Sequence, residues 1–67
     1  MEFTGKFTVK QVRGLVGLTQ NQMADELGIH RSTYIKLERN PGLFTMQQAE
    51  EICRITKYPM DLISFKK

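Results

Sequence analysis

The stretch Leu18-Thr19-Gln20-Asn21-Gln22-Met23-Ala24-Asp25-Glu26-Leu27-Gly28-Ile29-His30-Arg31-Ser32-Thr33-Tyr34-Ile35-Lys36-Leu37-Glu38 holds two helical runs with almost nothing between them. From Gln20 to Leu27 the period of 3.6 turns Met23, Ala24 and Leu27 inward and leaves Asn21, Gln22, Asp25 and Glu26 outside. Gly28 ends that run, because glycine takes a left-handed backbone at a helix C-terminus without strain. Only Gly28 and Ile29 then precede the next run, His30 to about Arg39. So short a link cannot return the chain antiparallel, and the two helices must cross steeply. Ala24 lets the backbones approach, and Ile29, Tyr34 and Leu37 close the wedge.

Working outward, the chain writes Thr-x-x-Gln ahead of an apolar-periodic run three times, at Thr8-Gln11, Thr19-Gln22 and Thr45-Gln48. Each fits a capping box, in which the threonine oxygen accepts from the amide three residues on and the glutamine reaches back, at about 1 kcal/mol per cap. Three helix starts are expected from them. The first helix covers about residues 8 to 16 and buries Val9, Val12 and either Leu15 or Val16. It carries a weakening Gly14 and stops at Gly17. After Arg39 the Asn40-Pro41-Gly42 cluster breaks the chain, with Leu43 and Phe44 covering the core before Thr45. A fourth helix, about 46 to 56, buries Met46, Ala49, Ile52 and Cys53, with Ile55 at the margin. Tyr58-Pro59 opens a short fifth helix carrying Leu62, Ile63 and Phe65.

Sixty-seven residues allow one small domain, 1–67, with an ordered core of about 7–65. The first six residues and the last two lysines are expected to be loose. A complete enzyme with its own cleft does not fit this length. One histidine, one cysteine and scattered carboxylates offer no metal ligand set and no nucleophile-base pair, so no catalysis, metal or cofactor is expected. Cys53 alone cannot form an internal disulfide and reads as a reduced, buried thiol of a cytosolic protein. No run is long and apolar enough for a membrane helix or a signal peptide. A net charge of +3 and a pI near 9.3 allow an anionic partner, and only the placement of that charge can decide.

Leu18 to Glu38 has the spacing of a helix-turn-helix and resembles that of the phage repressor/Cro family, also called the Xre family. Gln20, Ala24, Gly28 and the Leu37-Glu38 pair match the family pattern, and a less specific similarity runs from Thr8 to about Phe65. The resemblance implies an all-α, compact five-helix domain that acts as a transcriptional regulator. Its third helix would enter the major groove of double-stranded DNA, usually as a homodimer on a palindromic operator, in the cytoplasm at the nucleoid.

Carried over by residue, Arg13 and Glu38 match the family's internal ion pair between the first and third helices. Thr19 and Gln20 match the phosphate-facing start of the second helix. The matching base-reading positions are Arg31, Ser32 and Lys36, with Ile35 between them. A helical wheel reaches the same face independently, setting Tyr34 and Leu37 together and Ser32, Ile35, Lys36 and Arg39 opposite. Arg31 can hydrogen-bond guanine O6 and N7, Lys36 can reach guanine or a phosphate, and Ser32 suits base or backbone. Ile35 is an isoleucine spent on a polar face, able to pack on a thymine methyl or to anchor a protein.

Three departures from the pattern matter. Tyr34 stands where isoleucine or valine is usual, so its hydroxyl must reach solvent or a partner. His30 stands where a serine or threonine cap is usual and is either a phosphate contact or a plain exposed helix start. The link from Arg39 to Phe44 is short and poor in cations, leaving phosphate contacts to Arg39, Asn40 and backbone amides, with Lys10 or Lys6 outside. Modest affinity and a shallow salt slope are expected from that. Leu62, Ile63 and Phe65 are the expected dimer contact. The acidic outer face of the second helix and Ile35 favour a competing reading, a modulator or antirepressor that pairs with a repressor protein. An antitoxin-type regulator is a third.

Overall fold

All three Thr-x-x-Gln stretches fold as capping boxes. The hydroxyls of Thr8, Thr19 and Thr45 accept from the amides of Gln11, Gln22 and Gln48 at 3.0–3.1 Å, and each glutamine oxygen accepts from its threonine amide at 2.9 Å. The computed structural model describes residues 5–65, so the expectation for the last two lysines lies outside it. The caps open α1 (Val9–Leu15), α2 (Gln20–Leu27) and α4 (Met46–Thr56), with α3 (Arg31–Arg39) following α2. Short 3₁₀ turns lie at Pro41–Leu43 and Met60–Leu62, and two short strands complete the domain, β1 (Phe7–Thr8) and β2 (Ile63–Ser64).

Gly17 and Gly28 end their helices in the same way. Both are left-handed, with φ of 78° and 70°. The residue after each donates five positions back, Leu18 to the Arg13 carbonyl at 3.1 Å and Ile29 to Ala24 at 3.0 Å. Each glycine donates three positions back, to Gly14 and to Asp25. These paired bonds occupy the carbonyls a helix end leaves open, and a side chain at either glycine would be strained. Lys57 caps α4 in the same left-handed region, φ 64°, without that freedom.

The core is built from Val9 and Val12 of α1, Met23 and Ala24 of α2, Tyr34 of α3, Phe44, Ala49 and Ile52 around α4, and Ile63 and Phe65 of the C-terminal segment. Phe44 sits at its centre, 6.3 Å from the Tyr34 ring and edge-on to Phe65 at 6.0 Å. The all-helical class holds, but the helix stripes reach less far than expected. Leu15 and Val16 are both exposed, as are Leu43 and Met46, because α1 runs past the core at its C-terminal end and α4 begins outside it. Cys53 is half-buried, and burial followed by the nearby Glu50 charge pushes its thiol pKa up, keeping it protonated.

The largest correction is at the C-terminus. The expected fifth helix is a 3₁₀ turn followed by β2, which pairs parallel with β1, Phe7 opposite Ile63 and Thr8 opposite Ser64. Four α-helices, not five, are present among the described residues. As a strand the segment instead pairs its backbone with β1 and sends Ile63 and Phe65, two positions apart, to the same inner side. Both are 0% exposed. Ile63 and Phe65 are therefore core residues, unavailable to a second chain, and only Leu62 of the expected dimer contact remains exposed.

Gly5 belongs to this closure rather than to a loose end. A Cβ placed there would lie 2.3 Å from the Leu62 carbonyl carbon and 2.4 Å from the Ile63 amide nitrogen, so the two chain ends touch backbone to backbone. Gly14 is the opposite case, helical and with nothing within 4 Å of an added Cβ. Gly14→Ala should therefore raise stability by about 0.5–1 kcal/mol, and Gly5→Ala should lower it by about 1–3 kcal/mol, since backbone cannot yield as a side chain does. Urea unfolding of the two variants checks both signs, and equal effects would refute the close approach at Gly5.

Candidate nucleic-acid interface

The position of α3 is set by one carboxylate. Glu38, near its C-terminal end, has a side chain only 4% exposed, and a charge so placed needs several donors to be tolerable. It has them from three helices or their starts. Arg13 of α1 donates through Nε to Oε2 at 2.8 Å and through a second guanidinium nitrogen to Oε1 at 3.3 Å. Gln20, first residue of α2, donates through Nε2 to Oε1 at 3.0 Å. The Tyr34 hydroxyl, one turn earlier on α3, donates to Oε2 at 2.5 Å. Arg13 also reaches the Leu18 carbonyl at 2.8 Å, tying the end of α1 to the start of α2.

The protonation states follow. Burial alone would raise the Glu38 pKa, but hydrogen bonds from Arg13, Tyr34 and Gln20 outweigh it and hold the carboxyl below its ordinary 4.5. Tyr34 is pushed well above its ordinary 10, first by burial and then by its bond to Glu38, so it stays a donor. Its hydroxyl thus finds a partner inside the domain. Arg13 is held charged above its usual range, chiefly by the hydrogen bond to Glu38.

On the far side of α3 the arrangement differs. Arg31, Ser32, Thr33, Lys36 and Arg39 are exposed, Tyr34 is fully buried, and Leu37 packs half-buried on the core. Ile35 lies between these extremes, half-buried but not packed on the core. The ion pairs among the described residues are Arg13–Glu38 and the exposed Glu51–Arg54 pair at 2.6 Å. Arg31, Lys36 and Arg39 thus have no carboxylate partner there. His30 precedes α3 without a side-chain capping bond, and no acidic residue occupies the first turn of that helix.

The phosphate candidates are partly occupied. Asn40 donates its side-chain amide to the Lys36 carbonyl at 3.2 Å, closing the end of α3, and Gln20 is turned toward Glu38. Thr19 uses its oxygen as a cap acceptor. Arg39 remains exposed. Around the start of α2 an open depression is lined by Arg13, Gly17, Leu18, Thr19, Gln20, Asn21 and Arg31. It brings Arg31 of α3 beside the α2 terminus. Asn21 is the residue that sequence reasoning missed as a neighbour of that face; its place at the second position of a capped helix was the available signal. Lys6 lies apart, its Nζ 5.9 Å from the Phe7 ring centre.

Two short helices crossing over a three-residue turn, Gly28 to His30, the second with a polar, cationic outer face, define a helix-turn-helix domain. The chain belongs to the helix-turn-helix family of the Xre type, whose family model matches residues 9–63. It is a DNA-binding transcriptional regulator by family, and the family binds double-stranded DNA. No curated protein and no solved structure matches the chain. No helix among the described residues is long and apolar enough to cross a membrane.

Because Glu38 has a lower pKa folded than unfolded, its stabilisation is fully present above about pH 4.5 and is lost as pH falls through the lowered folded value. Glu38→Gln should therefore be less stable at pH 7 yet lose less further stability between pH 5 and pH 3 than the wild type. Arg13→Met, which strips the main donor from a buried carboxylate, should cost about 3 kcal/mol at pH 7. Urea midpoints across that pH range test both. Parallel acid profiles for wild type and Glu38→Gln would remove the carboxylate from the argument.

Proposed function

We propose that the domain is a sequence-specific operator-binding regulator of the phage or prophage repressor/Cro kind, with α3 in the major groove. The observation that carries this is the outer face of α3, where Arg31, Ser32, Lys36 and Arg39 are exposed without a carboxylate partner among the described residues while the opposite face is locked to α1 and α2 through Glu38. In this reading Arg31, Ser32, Ile35 and Lys36 meet base edges. Arg39 and the Thr19 side chain meet phosphate, together with the first amides of α2. Gln20 and Asn40 serve phosphate only through the hydrogen-bonding capacity left by Glu38 and by the Lys36 carbonyl.

The test is a titration of randomised duplexes across a salt series, followed by recovery of the bound sequences. Arg31→Ala should relax selection at one guanine, a loss of about 1–3 kcal/mol of discrimination, and Lys36→Ala should weaken binding as well. The salt slope should be shallow, reflecting few phosphate contacts per subunit. Absence of binding at low salt, or binding indifferent to both substitutions, would favour a protein-binding modulator instead.

A homodimer on a palindromic operator is part of this proposal. With Ile63 and Phe65 inside the core, the exposed large apolar side chains left for such a contact among the described residues are Leu15, Val16, Leu43, Met46 and Leu62, and the proposal assigns it to Leu43 and Met46, three positions apart around the Thr45 cap. Replacing both with serine should shift the sedimentation coefficient toward the monomer at micromolar concentration while leaving the helical circular-dichroism spectrum unchanged, and should remove any dependence of the melting temperature on protein concentration. A wild-type chain that sediments as a monomer both free and on DNA would end the dimer proposal.

A further inference from the structure

We infer that Ile35 reads the C5 methyl group of a pyrimidine in the major groove, so that 5-methylcytosine is accepted at that step where thymine is. This rests on the groove-reading function proposed above and names the chemical group that one of its positions selects.

Ile35 is half-buried and does not pack on the core, whereas Tyr34 and Leu37 beside it do. A single apolar surface residue is ordinary. What sets Ile35 apart is its company. Arg31 lies one turn before it and Arg39 one turn after, Ser32 is three positions back and Lys36 is adjacent, all exposed. Residues three and four apart share a helix face with side chains about 5–6 Å apart. The strip therefore alternates hydrogen-bond donors with one purely apolar contact.

Thymine and cytosine differ in the major groove at two places, the C5 methyl and the group on C4, which is an acceptor in thymine and a donor in cytosine. Isoleucine cannot sense the C4 group by hydrogen bonding. It can only reward the methyl. Thymine and 5-methylcytosine carry that methyl, while uracil and unmodified cytosine lack it. Arg31, one turn away, is placed for a guanine neighbouring that pyrimidine, so a thymine-guanine step and a methylated cytosine-guanine step offer this strip the same methyl and the same guanine edge.

The experiment starts from duplexes recovered by selection. Each thymine is replaced in turn by uracil opposite adenine, and at the position so identified a cytosine-guanine pair is compared with and without the C5 methyl. Each comparison changes one methyl group. Wild type should bind about fourfold more weakly with uracil at one position per half-site, and about fourfold more tightly with 5-methylcytosine than with cytosine there. Ile35→Ala, expected to melt like the wild type because the residue is off the core, should lose both differences while keeping the guanine preference due to Arg31.

Selective binding with no uracil-sensitive position would overturn the inference and leave the groove-reading function standing. A uracil effect that persists in Ile35→Ala would assign the methyl to another side chain and overturn it too. A uracil effect without the 5-methylcytosine gain would break the equivalence of the two bases. If no sequence is selected at all, the groove-reading function itself fails.

Discussion

A carboxylate removed from water is the constraint around which this small domain is arranged. Glu38 on α3 is stable as an anion only while Arg13, Gln20 and Tyr34 all point at it, and those residues come from three different helices. Moving any helix by more than a fraction of a hydrogen-bond length would strand a buried charge, at a cost that few other contacts here could offset. The crossing of α2 and α3 is therefore held electrostatically as well as by Ala24 and the turn at Gly28. Tyr34 shows the same logic from the other side: a ring fills the wedge as an aliphatic residue would, and its hydroxyl adds one more donor to the anion.

A second constraint closes the chain. The parallel pairing of β1 with β2 brings Gly5 against the backbone of Leu62 and Ile63, and it directs Phe65 edge-on into Phe44. Phe44 in turn contacts the Tyr34 ring. A line of aromatic packing thus runs from the C-terminal strand to α3. Loosening that pairing would reach α3 through three rings, without touching any residue on its outer face.

What was legible in the sequence is what is decided locally. A capping box needs partners three residues apart, and a helix-ending glycine needs only its own helix, so the helix starts and the turn between α2 and α3 are where the chain implied. The C-terminal strand was missed because its partner is at the opposite end of the chain. Its one local sign, the spacing of two between Ile63 and Phe65, is too brief to outweigh a proline that also suits a helix start. Gly5 carried no sign at all, since its reason is a tertiary contact. Leu15, Val16 and Met46 lie near apolar stripes, but periodicity gives the direction of a face and not how far the core extends along it. At the candidate site the Arg13–Glu38 pair could be expected from the family pattern. The capture of Gln20 by Glu38 and of Asn40 by the Lys36 carbonyl could not, because an amide's partner is set by whichever unmet group the fold leaves beside it.

The net charge of +3 says little by itself, and its distribution says more. Arg13 is cancelled by Glu38 inside the domain, and Arg54 by Glu51 on α4. The exposed acids Asp25 and Glu26 lie on the outer side of α2, Glu50 lies on α4, and Asp61 lies in the 3₁₀ turn before β2. Set against these, Arg31, Lys36 and Arg39 crowd one exposed strip of a nine-residue helix that shows no acid there, because its one carboxylate is turned inward. The buried pair therefore has two consequences at once. It fixes the angle of α3, and by taking the only acid of that helix out of solvent it leaves the outer face uniformly attractive to an anionic surface. An exposed Glu38 would have lost both, the hold on the neighbouring helices and the unopposed positive potential of the outer strip of α3.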